Sequence, residues 1–460
     1  MKKTSKNELL LAQEHLDQGY ELSLQQKFAA SEKHLEIACE LFKKYEYWKA
    51  YTKSINTRIN NYLHLSQFEK AESESIVLLE ITLQYLPTDV DLLSDCHNNI
   101  GSCHLHRGKY KEAIHHFEEV LKLQKIHFEE ETDLMSVCLT NIGACYRHLG
   151  IYEKAVQYYK DSLQLLQKIF GKVSFRTALL YNNLGSSYLR MSKYPQAIEA
   201  LQKALEIQQQ TIHRKHHHTL ANLGACYLDM DDYEQALTFY KEALGVAFQI
   251  AGEKHADVGF IYGKIGRCYK KKAAFDSAID FYQKALHIQK QVYGTHHIVA
   301  ETLNNMGACA YQLGDYQEAL ARHEEALEVN QTYFEENHPD IARSWMFIGD
   351  CYMAKSELNT ALDYFKKALQ IHLKNPKAKT LQIAENYEKM GVCLSNLSHY
   401  QEAIEHHEKA LEIKKELLES DNLAIAESYK HIGNGYQYLG KYAMAEGYLE
   451  RTLMLQKQYL

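Results

Sequence analysis

The sequence predicts an all-α protein, a solenoid of about 11 helical hairpins stacked side by side. Three observations carry that prediction. One glycine-centred pattern recurs nearly end to end: aliphatic-Gly, Tyr three residues later, an aromatic six further on and Ala three further still. Between the glycines, apolar residues follow helical steps of three and four. Only 4 prolines interrupt 460 residues, of which 46% are hydrophobic and 24% charged, the balance of an ordered chain rather than a disordered or collagenous one.

Aligned on that glycine, the units are centred on Gly19, Ile59, Gly101, Gly143, Gly185, Gly224, Gly266, Gly307, Gly349, Gly391 and Gly433, spaced 39 to 42 residues apart. Each unit holds two amphipathic stripes. In residues 178–210 the first is Leu179, Leu180, Leu184 and Tyr188, and the second Tyr194, Ile198, Leu201, Leu205 and Ile207. The glycine removes a side chain where the paired helices cross closely, and the Ala of the second helix is expected to face it, with aromatics filling the remaining gap. A lone hairpin cannot bury its apolar face, so neighbours must stack.

The ends differ from the middle. Residues 1–93 read as two degenerate capping repeats, with Ile59 in place of Gly and Ser31 where Ala is usual, and residues 94–460 as nine regular repeats of one continuous solenoid. The last helix is expected either to face solvent through Glu450, Arg451, Lys457 and Gln458 or to pack on a partner or on further residues.

Candidate chemistry is sparse. Seven of the 10 cysteines (Cys103, Cys145, Cys226, Cys268, Cys309, Cys351 and Cys393) stand two residues after a repeat glycine, a slot that wants a small buried side chain. Equivalent helices lie about 8–10 Å apart and a disulfide needs Cα atoms within about 7 Å, so these are packing residues; Cys39, Cys96 and Cys138 show no nucleophile signature either. Of the 25 histidines, His213, His255, His296 and His338 share one position, eleven before the glycine, and are expected as helix caps. The run His213 to His218 lacks ligands from a second segment, so no metal site is assigned. There is no phosphate loop, nucleophile elbow or HExxH motif, and therefore no catalytic residue or cofactor is assigned.

The long repeat resembles the tetratricopeptide repeat. Ala71, Ala113, Ala155, Ala197, Ala236, Ala278, Ala319, Ala361, Ala403 and Ala445 match its alanine, and Trp345 matches its tryptophan. The usual period is 34; the longer unit is similar to kinesin-light-chain-type repeats, a likeness carried by Leu303-Asn304-Asn305-Met306-Gly307 and Asn337-His338-Pro339-Asp340-Ile341-Ala342. The resemblance implies a right-handed superhelix and the binding of proteins or peptides rather than catalysis.

In such an array the first helix of each hairpin lines the concave side. Two residues before the glycine stand Asn99, Asn141, Asn183, Asn222, Lys264 and Asn305, and Asn98, Asn182 and Asn304 double the column in three repeats. An amide donates and accepts, so this ladder suits the backbone of an extended peptide; alternatively the amides bond neighbouring helices. Arg190, Lys264, Arg267 and Lys271, with His106 and His148, make the middle of this face basic, with Lys270 and Lys272 extending the patch, which suits a ligand carrying carboxylates, whereas Glu301, Glu385 and Glu427 line the later units.

The net charge of −7 gives no basic footprint for nucleic acid. No apolar run reaches membrane-spanning length, and the amino terminus lacks a signal-peptide core, so a cytoplasmic protein is expected. The sequence thus points to a non-enzymatic scaffold that takes an extended or helical peptide segment in its concave groove. The alternative is a regulatory arm of a larger complex that controls a protease, phosphatase or other effector subunit.

Overall fold

The computed structural model describes residues 3–128, 130–212, 216–374, 380–419 and 422–457, the side chains of 3–5 and 212 apart. The chain divides into two compact units, Met1–Met230 and Asp231–Leu460. All regular structure among the described residues is helical.

The first unit holds α1 (Lys3–Leu24), α2 (Phe28–Lys44), α3 (Trp48–His64), α4 (Phe68–Tyr85), α5 (Val90–His106), α6 (Tyr110–His127), α7 (Asp133–His148), α8 (Tyr152–Phe170), α9 (Phe175–Arg190), α10 (Tyr194–Ile212) and α11 (His217–Asp229). The second holds α12 (Tyr233–Ala251), α13 (Ala256–Lys271), α14 (Phe275–Tyr293), α15 (His297–Gln312), α16 (Tyr316–Tyr333), α17 (Pro339–Ala354), α18 (Leu358–Lys374), α19 (Leu381–Asn396), α20 (Tyr400–Leu417), α21 (Leu423–Tyr438) and α22 (Tyr442–Lys457). Each repeat supplies two helices, and the one centred on Gly224 supplies α11 to the first unit and α12 to the second.

The turn inside every repeat is three residues long. Its middle residue, seven after the repeat glycine, has positive φ in all eleven repeats. Glycine fills that position only at Gly108, Gly150, Gly314 and Gly440; elsewhere residues such as Ala273 (φ 57°) and Ser398 (φ 65°) adopt the left-handed conformation. The reason is visible at α13. The Ala273 N–H bonds the Lys270 carbonyl and the Ala274 N–H the Tyr269 carbonyl, both of which the helix end would otherwise leave unpaired.

The starts of first helices carry the expected caps. His255, His296 and His338 each accept a backbone N–H through Nδ1, at 3.3, 3.3 and 3.2 Å. His213 lies outside the described residues.

The hairpin contact corrects one expectation. What faces the glycine is not the alanine but the side chain sixteen residues on: Phe117 over Gly101, Tyr159 over Gly143, Leu201 over Gly185, Tyr282 over Gly266 and Phe365 over Gly349. The alanine contributes its backbone, as where the Ala197 carbonyl lies 3.2 Å from a Cβ placed on Gly185. The glycine thus accepts a large side chain, a ring or a leucine, rather than matching a small residue. In two repeats the ring is an imidazole, His323 over Gly307 and His407 over Gly391.

The ten cysteines are all buried and free. Burial pushes their thiols up to between about 11 (Cys268) and about 12 (Cys145), so they stay protonated and inert, as packing residues should. Among the described residues no helix is long and apolar enough to cross a membrane.

Candidate functional site

First helices approach one another within each unit: α1 and α3, α3 and α5, α5 and α7, α9 and α11 in the first, then α13 and α15, α15 and α17, α19 and α21 in the second. Within each unit these odd-numbered helices form a row on which the amide and charge columns stand.

In the first unit the column two residues before the glycine reaches back to the preceding hairpin. Asn99 Nδ2 donates to Asn56 Oδ1 at 2.9 Å, and Asn56 Nδ2 donates to Asp95 at 3.1 Å. Asn222 Nδ2 donates to Asn182 Oδ1 at 3.1 Å. These amides bond α5 to α3 and α11 to α9. Asn141 and Asn183 are half-buried, and neither side-chain amide has a partner among the described residues. Arg190 is exposed at the end of α9. The ladder is therefore mixed: some rungs join neighbouring helices and others present open amides.

Two expected groove charges have another role. His106 stacks on Phe68 with centroids 4.5 Å apart, and His148 on Tyr110 at 5.0 Å. Phe68 and Tyr110 begin second helices, while His106 and His148 end the first helices of the following hairpins. Burial, and next the charge of Arg147, depress the His148 pKa, so this stack favours a neutral ring. The sequence places both histidines on the face but gives no sign of the ring that meets them.

In the second unit Lys264 lies over the Phe260 ring at 4.7 Å, and Arg267 and Lys271 are exposed on α13. None of the three lines the cavity of about 330 Å³ that opens between α13, α15, α16 and α17. Asn304 and Asn305 do line it, together with Lys270, Glu301, Asp340, Arg343 and Phe347. Lys270 Nζ donates to Asn305 Oδ1 at 2.6 Å, and Asn305 Nδ2 donates to the Glu301 carbonyl at 3.0 Å. His323 Nδ1 donates to Asn304 Oδ1 at 2.8 Å, and its ring stacks on Phe347 at 4.9 Å. Burial, followed by the charge of Arg267 among the lowering causes, brings the Lys270 ammonium below its ordinary pKa. Its hydrogen bond here is to a neutral amide, and the Glu301 carboxylate on the same cavity wall supports its charge in part. Arg343 pairs with Asp340 on the same wall.

A smaller cavity of about 140 Å³ shares Arg343 and Phe347 with the first and adds Glu385 and Lys389. Lys389 bonds both Asp350 oxygens, at 2.6 and 2.7 Å, joining α19 to α17. Sequence reasoning took Lys270 only as an extension of the basic patch and did not select Arg343. Lys270 stands in register with Arg147 four after a repeat glycine, a column with no constant chemistry, and Arg343 lies outside the columns followed.

A family model described as Tetratricopeptide repeat matches residues 135–210, 216–291, 298–374 and 382–458, and a second of the same description matches 94–125. No curated protein matches the chain by sequence at a significant level. Among solved structures, the apo form of the quorum sensor NprR from B. thuringiensis aligns over 80% of this chain and 100% of its own, with TM-score 0.54 and 15% identity. A Rap protein complexed with Competence and Sporulation Factor aligns over 80% and 99%, with TM-score 0.50 and 15% identity. A putative kinesin light chain with TPR-like repeats from Podosopora anserina aligns over 45% and 98%, with TM-score 0.40 and 17% identity. At these identities the likeness to NprR and Rap is one of fold.

Proposed function

Since the chain belongs to the tetratricopeptide repeat family, we propose that it is a non-enzymatic interaction scaffold whose inner layer takes an extended or helical protein segment bearing carboxylates. The observation that carries this reading is the pair of adjoining cavities on α13 to α19, where Lys270 and Arg343 stand among the amides of Asn304 and Asn305. Two small hollows that share a wall suit successive side chains of one strand of peptide rather than a single compact metabolite. In the first unit the open amides of Asn141 and Asn183, with Arg190, offer backbone pairing of the same kind. Lys264, Arg267 and Lys271 supply long-range attraction for an acidic ligand rather than its seat.

Selection from a displayed random 12-residue peptide library tests this. Enriched peptides should be rich in Asp or Glu, and Lys270→Met with Arg343→Met should weaken their binding at least tenfold while the far-UV spectrum stays unchanged. No enrichment above an uncoated control, or undiminished binding to the double variant, overturns the proposal.

A second reading has the same array act as the peptide-responsive arm of a larger complex. It draws on the fold shared with a protein named a quorum sensor and with a Rap protein bound to a Competence and Sporulation Factor. Co-purification of a stoichiometric effector that a selected peptide releases would favour it.

A further inference from the structure

Where one hairpin meets the next, two positions pair across the junction: the residue twenty-three after a repeat glycine and the residue five before the following one. In the second unit Thr302 donates to Gln289 Oε1 at 2.7 Å, Asn330 Nδ2 to Ser344 at 3.1 Å and Lys414 Nζ to Ser428 at 3.2 Å. In the first unit Gln208 Nε2 donates to Thr219 at 3.1 Å. The junction of α18 and α19 carries His372 and Asn386 at the same two positions and breaks the pattern. His372 Nε2 and both polar atoms of the Asn386 carboxamide are buried and have no hydrogen-bond partner among the described residues. The side chains are closed in, His372 at 8% exposed and Asn386 at 0%.

A buried donor or acceptor without a partner costs the fold its desolvation penalty, so a polar pair in such a place calls for a partner from outside the chain. The way in is the smaller of the two adjoining cavities, of about 140 Å³. His372 lines it, and so do Gln382, Glu385 and Lys389, which flank Asn386 on α19 at one residue and at one turn on either side. Pockets that hold whole small ligands run to about 300–1,000 Å³, so this one suits the end of a single side chain.

Charge decides which side chain. Lys389 is held by Asp350 and Glu385, and Arg343, shared with the first cavity, by Asp340. An entering carboxylate would meet the Glu385 carboxylate and find both cations already paired. Burial, against the opposing charge of Glu385, lowers the His372 pKa and keeps its ring neutral. The unpaired groups are thus a neutral ring nitrogen and a carboxamide with its donor and its acceptor. A second carboxamide answers all of them, since it donates and accepts at once, whereas a hydroxyl reaches fewer and an aliphatic none. Resting on the reading that α13 to α19 seat an acidic segment, we propose that the smaller cavity is a specificity subsite for one neutral carboxamide side chain, Asn or Gln, of that segment. Because the two cavities share Arg343 and Phe347, the amide belongs to a residue close in sequence to the acid that occupies the first.

Selection from a displayed random peptide library on the full chain, followed by affinity measurements on one selected peptide, tests this. Selected peptides should carry Asn or Gln at a constant spacing from Asp or Glu, and replacing that amide residue by Leu should weaken binding at least about tenfold. His372→Gln with Asn386→Thr copies the bonded pair Gln289 and Thr302. That variant should keep the far-UV spectrum, raise the urea midpoint and bind the amide and Leu forms of the peptide within about twofold of each other. His372→Leu with Asn386→Leu removes the same polar atoms by another route and should level the two affinities likewise. Acidic peptides that show no preference for Asn or Gln, yet lose binding to Lys270→Met with Arg343→Met, overturn the subsite and leave the acidic groove standing. A Gln and Thr variant that keeps the tenfold preference overturns it too, since His372 and Asn386 then bond each other or water instead of the peptide. No enriched peptide at all overturns both.

Discussion

The Tyr159 ring lies flat on Gly143, so closely that a Cβ added to the glycine would come within 2.8 Å of two ring carbons. Tyr159 is fully buried on α8, and its ring has no space into which to retreat. Gly143→Ala should therefore force the two helices apart and cost about 1–3 kcal/mol, the range for overpacking a tight core. A lowered urea midpoint of the whole chain checks it, with Gly245→Ala, whose Cβ meets nothing within 4 Å, as the control expected to be neutral or stabilising.

Left-handed alanine at the middle of a turn carries a backbone penalty that glycine does not. Ala273 has φ of 57°. Ala273→Gly should stabilise the protein by about 0.5–1 kcal/mol, the roughly 1–2 kcal/mol relieved in the fold less the extra chain entropy of glycine. Thermal unfolding of the variant should begin at a higher temperature, and an unchanged or lowered transition contradicts the turn geometry.

Buried imidazole makes the fold sensitive to acid. His407 is 1% exposed, and neither ring nitrogen has a hydrogen-bond partner among the described residues. Burial, with the charges of His431, His406 and Lys414 after it, pushes its pKa from 6.5 down to about 3. Above pH 6.5 both folded and unfolded chains hold the ring neutral and nothing is lost. As pH falls from 6.5 towards 3 the unfolded chain takes up a proton that the folded chain refuses, so stability declines. His407→Phe, which copies Phe365 of the preceding repeat, should lose about 2 kcal/mol less than wild type between pH 7.5 and pH 5, as read from urea midpoints. It should also gain stability at pH 7.5 by removing unpaired polar atoms.

Lys389 bridges α19 and α17 through Asp350, and both side chains are largely out of water. Lys389→Met should cost about 3 kcal/mol because it strands the carboxylate, and adding Asp350→Asn should restore most of that loss. Equal destabilisation by the single and double variants would mean that the pair contributes through packing alone.

The helices and their stacking were legible in the sequence because a period of 39 to 42 residues, kept over ten successive intervals, fixes which residues are equivalent, and equivalence fixes the buried stripes. The cysteine slot and the histidine caps followed from the same equivalence. What period cannot give is the angle at which two helices cross. That angle decides that Gly143 meets Tyr159 rather than Ala155, and that His106 meets Phe68 rather than a ligand. The inner face was legible as columns of Asn, but whether a rung bonds Asn182 or stays open, as at Asn183, depends on the offset between neighbouring hairpins. Lys270 and Arg343 gather in one cavity from different helices, and no spacing within a repeat announces that.

The turn inside each repeat never departs from three residues, whereas the links from one repeat to the next run from three to six. Changes in chain length are therefore tolerated at one rim of the stack and forbidden at the other, since an inserted residue beside Ala273 would unseat the carbonyl pairing that ends α13. Grafted epitopes, probes or whole inserted modules belong at links such as Gly171 to Ser174, where they would project from the protein without disturbing the register that its helices share.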